Sequence, residues 1–139
     1  MNITVTGPRG GLVDKHLMAY THIAIKNFAK QLGIGRLKLD LDVRLHHKMF
    51  VENNAEGLCE AHDDRTFTID IGLYSNWIVN LAHEMVHVKQ FARHELSICG
   101  NRWKSRNWPG TEYWDEPWEK EARRLQHKLA MNFSKEEWA

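Results

Sequence analysis

The sequence predicts a single α+β domain, in which a small, mostly antiparallel sheet is combined with an N-terminal, a central and a C-terminal helix. The chain has 139 residues, 42% of them hydrophobic, which suits one domain with one core. Apolar residues recur with a period of two in the segments 37–43 and 66–71, as in strands with one wet face. They recur with helical periodicity in the segments 14–32, 77–91 and 117–129.

The N-terminal segment predicts a short strand followed by a long helix. Ile3 and Val5 alternate with polar residues, which is typical of a strand. The helix is expected to begin after Asp14, whose carboxylate can cap it, and to end at Gly33. The apolar face that we expect to lie on the core consists of Leu17, Tyr20, Ala24, Phe28 and Leu32.

Three further strands are expected in the sheet. The segment "LKLDLDVRL" alternates leucine and valine with charged residues, which indicates a strand with one wet face. The segments "EGLCEAH" and "TFTIDIGL" are separated by "DDR", which is typical of a tight connection between strands. We expect these two strands to pair as a hairpin.

The second half of the chain predicts two helices joined by a long irregular segment. The first helix should begin near Ser75, whose hydroxyl is a natural cap. Residues 96–116 show no clear period, and a loop of that length in a compact domain is usually functional or mobile. The last helix should begin at Pro117. Its apolar face consists of Trp118, Ala122, Leu125 and Leu129.

Charge and composition narrow the classes of function. Lysine and arginine number 19 against 18 acidic residues, so no overall field attracts the protein to nucleic acid or anionic lipid. No apolar run approaches the roughly 20 residues needed to cross a bilayer, and the first residues lack the apolar stretch of a signal peptide. Cys59 and Cys99 form no C-x-x-C pair. We therefore expect a cytoplasmic protein with reduced thiols and no membrane partner.

The segment "LAHEMVHVKQ" contains the pattern H-E-x-x-H at His83, Glu84 and His87. On a helix the two histidines project from the same side, one turn apart, so both imidazoles can bind one ion. Glu84 is about 100° further round, where its carboxylate can take a proton from a water beside the metal. The triplet also arises by chance in histidine-rich helices. Burying three such side chains costs several kcal/mol unless each has a partner, which favours a zinc site.

A catalytic zinc site usually has three protein ligands, so we expect a third elsewhere in the chain. His94 follows His87 by seven residues, roughly 10 Å along a continuing helix, which is too far to share the ion. The start of the last helix offers Glu116, Glu119 and Glu121. Helical geometry alone does not separate Glu119 from Glu121, because they flank the apolar face at similar angles on opposite sides.

The order of two motifs resembles a known family. H-E-x-x-H on one helix, followed by E-x-x-A at the start of a later helix, is similar to the compact gluzincin metallopeptidases. "HEMVHVKQ" and "YWDEPWEKEA" resemble the small SprT-like metallopeptidases often found in bacteriophage genomes, and the order of elements agrees over roughly residues 37–130. The resemblance implies a zincin-like fold, hydrolysis of peptide bonds and, for a phage-encoded protein, the host cytoplasm. It implies Zn²⁺ bound by His83, His87 and Glu119, with Glu84 as general base.

The chain departs from the best-studied members of that family. SprT and Spartan proteins, which cleave proteins crosslinked to DNA, use a third histidine in an H-G-x-x-F context, and this sequence contains no such stretch. A role in DNA repair therefore does not follow from the resemblance.

The sequence leaves the oxyanion donor, the substrate and the partners open. Tyr113 and His94 are candidate donors and Tyr74 a weaker one, and we select Tyr113 as the prediction. A peptide or protein substrate is expected to lie along the sheet edge as an added strand. Basic and aromatic residues in the segment 102–114 allow contact with nucleic acid, but packing of that loop over the cleft is the preferred interpretation. The alternatives to a peptidase are a nucleic-acid-associated module with structural zinc and a catalytically silent, partner-binding relative.

Overall fold

The computed structural model describes residues 1–8, 15–47, 56–99, 102–108 and 112–137. These residues form an α+β fold with three α-helices, a four-stranded mixed sheet and a separate two-stranded sheet. None of these helices combines the length and the apolar character that crossing a membrane requires.

Strand β1 (Asn2–Thr6) precedes helix α1 (Lys15–Gln31), and both correspond to predicted elements. The helix ends as expected: Gly33 has a φ of 75°, and its N–H donates to the carbonyl of Lys30 at 3.1 Å. A left-handed residue of this kind favours glycine, which has no Cβ to clash. The predicted cap, Asp14, lies outside the described residues. The buried residues of α1 are Thr21, Ala24, Ile25, Phe28 and Ala29.

Strands β2 (Asp40–His46), β3 (Gly57–Ala61) and β4 (Thr66–Gly72) complete the larger sheet in the order β1-β2-β4-β3. The hairpin of β3 and β4 is antiparallel, as predicted. The expectation of a mostly antiparallel sheet was wrong, because β1 pairs with β2 and β2 with β4 in parallel. Helix α1 returns the chain between β1 and β2, so these strands run in the same direction. An alternating pattern shows that one face is wet, but not the direction of the neighbouring strand.

Helices α2 (Trp77–Ala92) and α3 (Pro117–Glu137) pack against each other and carry the two predicted metal-binding motifs. Helix α3 begins at Pro117 as expected, since proline is tolerated in the first helical turn. The predicted cap of α2, Ser75, is wrong by one position. The capping residue is Asn76, and its side chain makes no capping hydrogen bond.

One face of the larger sheet forms the main core with the three helices. Leu41 and Val43 of β2 and Phe67, Ile69 and Ile71 of β4 are each at most 2% exposed. Each fully buried side chain of this kind contributes roughly 1.5–3 kcal/mol relative to leaving it in water. The predicted alternation is therefore confirmed on β2. On β4 the apolar residues face the core as predicted, but the intervening Thr68 is buried as well.

The predicted loop 96–116 has more regular structure than expected where it is described. Strands β5 (Arg102–Trp103) and β6 (Arg106–Asn107) form an antiparallel hairpin. The hairpin was not predicted from the sequence, because its turn residues Lys104 and Ser105 have φ values of 49° and 70°. Glycine or asparagine usually occupies turn positions with such φ values. A small second core beneath the hairpin consists of Leu96, Trp103 and Trp118.

The burial of Ala122 on α3 gives a test of the packing. Ala122 is 0% exposed, so Ala122→Leu should lower the free energy of unfolding by about 1–3 kcal/mol through overpacking. Ala19→Leu, at an exposed position of α1, should change it by less than about 0.5 kcal/mol. Urea denaturation measures both, and equal stability of the two variants would contradict close packing at Ala122.

Candidate metal centre

Helix α2 presents His83, Glu84 and His87 as one group. The ligand-capable atoms of these residues all lie within 4.8 Å of one another, so the group could hold a metal ion. The imidazole centroids are 5.0 Å apart, as the spacing of four residues on a helix predicts. Glu84 and His87 are only 6% and 7% exposed. The helix therefore holds these side chains largely away from water.

Helix α3 adds the carboxylate of Glu119 to this group. Its Oε2 lies 3.0 Å from His83 Nε2, and its Oε1 lies 3.0 Å from His87 Nε2. Glu119 is 8% exposed, so this contact is shielded from water. The first turn of α3 thus brings one carboxylate to both imidazoles, at the residue that the resemblance to gluzincins selects.

The other candidate ligands lie elsewhere. Glu121 Oε1 contacts Lys89 Nζ at 3.1 Å, on the other side of the apolar face of α3. His94 lies beyond the end of α2, and its Nε2 is 2.7 Å from Asp64 Oδ2. Glu116 follows the turn that precedes α3, and its side chain is half-buried. The structure separates Glu119 from Glu121, which helical angles alone did not.

Two glutamines contact the outward nitrogens of the histidines. Gln126 Oε1 lies 2.6 Å from His83 Nδ1, and Gln90 Oε1 lies 2.8 Å from His87 Nδ1. Their role was not predicted from the sequence. The available signal was spacing, since Gln90 follows His87 by three residues and Gln126 follows Glu119 by seven.

The charges in this group favour a cation between the imidazoles and the carboxylate. Burial alone would lower the pKa of His87, but the hydrogen bond to Glu119 and the nearby carboxylates raise it to about 9. The pKa of His83 is raised by the same carboxylate against the effect of burial. Burial would raise the pKa of Glu119, but both imidazoles hold it far below its ordinary value. A proton or a metal ion can supply the positive charge.

The side chain of Glu84, on α2, lies against the edge strand β3. A Cβ added at Gly57 of β3 would lie 3.3 Å from Glu84 Cγ and 3.1 Å from Ile71 Cδ1, so glycine makes room for the carboxylate. Burial is the main cause that raises the pKa of Glu84, and the neighbouring imidazoles partly oppose it. A buried carboxyl with a raised pKa accepts a proton more readily than an exposed one.

Tyr113 stands at the exposed side of the group, in a single turn of 3-10 helix, Tyr113–Asp115. Partial burial, the charge of Glu119 and a hydrogen bond to that carboxylate raise the pKa of its hydroxyl. The next residue, Trp114, is fixed to α3 by Arg123, whose Cζ lies 4.5 Å from the centroid of the indole ring. Arg123 Nη2 also donates to the Trp114 carbonyl. The predicted catalytic tyrosine is therefore placed beside Glu119, whereas His94 is not.

The aromatic residues of the segment 102–114 have different environments. Trp103 is buried in the second core, and Lys104 Nζ lies 5.2 Å from its ring centroid. Trp108 packs partly against the same core. Trp114 is 66% exposed. The preferred interpretation, in which this segment packs on the domain, fits Trp103 and Trp108 but not Trp114.

No protein-family model matches the chain, and neither a curated protein nor a solved structure matches it. The chemistry of the centre is therefore argued from its own geometry.

The contact between His87 and Glu119 predicts how the free energy of unfolding of the metal-free protein depends on pH. Because the folded-state pKa of His87 is raised from 6.5 to about 9, its stabilising effect is complete below pH 6.5 and lost as pH rises through about 9. In the presence of a chelator, the free energy of unfolding should fall across that interval by an amount on the order of 1–3 kcal/mol. Urea denaturation at several pH values measures it.

The matched control for the pH dependence is Glu119→Gln, which keeps the shape of the side chain and removes its charge. The slope between pH 6.5 and about 9 should then be much smaller, because the pKa of His87 loses its main raising cause. An equally steep slope in the variant would show that Glu119 is not the partner of His87 in solution.

Proposed function

We propose that this protein is a zinc-dependent metallopeptidase with a compact zincin-like domain of the gluzincin type. The observation that carries the proposal is the meeting of His83 Nε2 and His87 Nε2 with the two oxygens of Glu119, each at 3.0 Å. When the Nδ1 atoms donate to Gln126 and Gln90, each Nε2 holds a lone pair that faces an acceptor. Either protons on the Nε2 atoms or a metal ion makes that arrangement favourable. Zinc is the metal ion that commonly binds two imidazoles and a carboxylate.

The donor set fits a catalytic centre better than a structural one. With Glu84 assigned as the base instead of a ligand, His83, His87 and Glu119 are three ligands. A tetrahedral ion with three protein ligands keeps one position for water. A bound zinc ion supplies a Lewis acid for a carbonyl oxygen and lowers the pKa of water towards neutrality. A structural site would instead be closed by a fourth protein ligand.

The remaining residues have roles that follow from their positions. We assign Glu84 as the base that takes a proton from the attacking water and passes it to the leaving amine. Its burial beside β3, directly after His83 in the chain, supports this role. Tyr113 lies beside Glu119 with a protonated hydroxyl, which can donate to the developing oxyanion. Burial of Glu84 and Glu119 excludes bulk water and strengthens both interactions.

A peptide substrate would fit the free edge of β3, which is one of the two terminal strands of the described sheet. The N–H of Gly72 donates to the Glu56 carbonyl and that of His62 to the Thr66 carbonyl, each at 2.9 Å. Hydrogen-bonded and non-hydrogen-bonded pairs alternate in an antiparallel ladder, so every second residue of β3 points its backbone groups away from β4. These residues are Gly57, Cys59 and Ala61.

An added strand at this edge would pass directly in front of the proposed base. Gly57 is both one of the residues with outward backbone groups and the residue next to Glu84 Cγ. Main-chain hydrogen bonds at a strand edge bind an extended chain whatever its side chains are, which suits a protein or peptide substrate. The substrate's scissile bond would then lie between β3 and the metal centre.

The proposal includes a cytoplasmic location. Cys59 and Cys99 are both free thiols, as is usual in a reducing compartment. Burial and the charges of Glu84 and Glu60 raise the pKa of the Cys59 thiol, which makes it a poor nucleophile.

Zinc binding tests the ligand set. Protein made without an affinity tag should bind about one zinc per chain, and Glu119→Ala should weaken binding by more than the 10–100-fold typical of outer-shell changes. Glu121→Ala is the matched control, since Glu121 contacts Lys89 instead of the histidines, and it should change the affinity little. Competition with a chromophoric chelator measures both. The reverse order of the two variants would contradict ligation by Glu119.

Hydrolysis tests the proposed base. Glu84→Gln should retain zinc and the fold but lose peptidase activity by at least about 100-fold, because an amide of the same shape cannot accept the proton. Glu60→Gln, at an exposed position of β3, should keep full activity. Labelled unfolded proteins and DNA-bound proteins serve as the two substrate panels. A zinc-loaded Glu84→Gln protein as active as the parent on any of them would exclude Glu84 as the base.

A further inference from the structure

Gln90 is a buried side chain that joins the two helices of the metal centre. It lies on α2 and is 0% exposed. Its Nε2 donates to the Trp118 carbonyl at 2.9 Å and to Glu121 Oε1 at 3.2 Å, both on α3. Its Oε1 lies 2.8 Å from His87 Nδ1. One amide thus contacts a histidine of the centre and two oxygen atoms of the opposite helix.

These partners determine which way the amide of Gln90 points. A backbone carbonyl only accepts hydrogen bonds, so the amide NH₂ must face Trp118. Lys89 Nζ donates to the same Glu121 oxygen at 3.1 Å. The amide oxygen is left to face His87, and Nδ1 of that ring must carry the hydrogen. In the neutral ring, which is the form that binds a metal ion, the lone pair of His87 is then on Nε2, the atom that faces Glu119.

Gln126 makes the corresponding contact with His83 from the other helix. Its Oε1 lies 2.6 Å from His83 Nδ1, while its Nε2 is 3.3 Å from His127 Nε2 at the exposed side. Gln126 lies two turns after Glu119 on α3, so the same helix face contacts both nitrogens of the His83 ring. Each imidazole therefore has an amide oxygen at Nδ1 and a carboxylate oxygen at Nε2.

We propose that Gln90 and Gln126 are positioning residues that hold His87 and His83 in the tautomer that binds zinc through Nε2. The inference rests on the zinc centre proposed above. Outer-shell acceptors of this kind orient ligand histidines, and their loss weakens metal binding by about 10–100-fold. An amide oxygen accepts the Nδ1–H without adding negative charge. The centre therefore keeps more of the positive charge of the ion than it would with carboxylate acceptors.

Replacements at Gln126 separate the acceptor role from packing. Gln126→Met fills similar space without an acceptor and should weaken zinc binding by about 10–100-fold. Gln126→Glu restores an acceptor for the Nδ1–H of His83 and should bind zinc at least as tightly as the parent. Equal losses in both variants would overturn the inference, because only packing would then matter.

A second pair of variants tests Gln90 against a matched glutamine. Gln31 Nε2 donates to the Leu129 carbonyl at 3.0 Å, so it also ties a helix to the backbone of α3, but it lies on α1. Gln90→Met should weaken zinc binding by about 10–100-fold, whereas Gln31→Met should leave it unchanged. Equal zinc affinity of the Gln90→Met variant and the parent would also overturn the inference.

The tautomer itself can be read from imidazole ¹⁵N resonances of the zinc-loaded protein. The parent should show both histidines protonated at Nδ1 and coordinated through Nε2, and Gln126→Met should lose that pattern at His83 while keeping it at His87. Retention of the parent pattern in every variant would contradict a positioning role. Failure of the parent protein to bind zinc would overturn the proposed function itself, and it is seen before any glutamine variant is made.

Discussion

The contact between one carboxylate and two imidazoles governs the rest of this structure. Glu119 reaches His83 and His87 from a different helix, in a region where water is scarce. A buried carboxylate without a cation is costly, and two buried imidazoles that share one acceptor must hold a proton or an ion. Helices α2 and α3 can therefore pack together only when a proton or a metal ion balances the charge of the buried carboxylate. The raised pKa of His87 and the depressed pKa of Glu119 both express this constraint.

The mixed sheet places this charged contact next to an accessible strand edge. In the order β1-β2-β4-β3, β2 and β4 are interior, β1 forms one edge, and the antiparallel strand β3 forms the other edge, beside α2. Gly57 then brings the backbone of that edge close to Glu84 without a side chain between them. A binding edge and a proton acceptor are thus adjacent because of topology, although they belong to different elements.

The sequence predicted the helices, the strand faces and the motif histidines because each depends on local periodicity or spacing. It could not predict the direction of strand pairing, since the alternation of β2 is the same beside a parallel or an antiparallel neighbour. It did not predict the β5–β6 hairpin, because Lys104 and Ser105 have positive φ values, which lysine and serine rarely adopt. The contacts of Gln90 depend on how α2 meets α3, and no local pattern encodes that distance.

The sequence separation of the two halves of the centre has a consequence for the lifetime of the folded chain. His83 and Glu119 are 36 residues apart, and the β5–β6 hairpin lies between them. An ion held by both would act as a removable cross-link that closes this segment into a ring. Binding to the folded chain alone adds about 2.7 kcal/mol of stability when free zinc is a hundredfold above its dissociation constant. Under the proposed function, the supply of zinc would then govern how often the segment opens and how quickly other proteases can cut it.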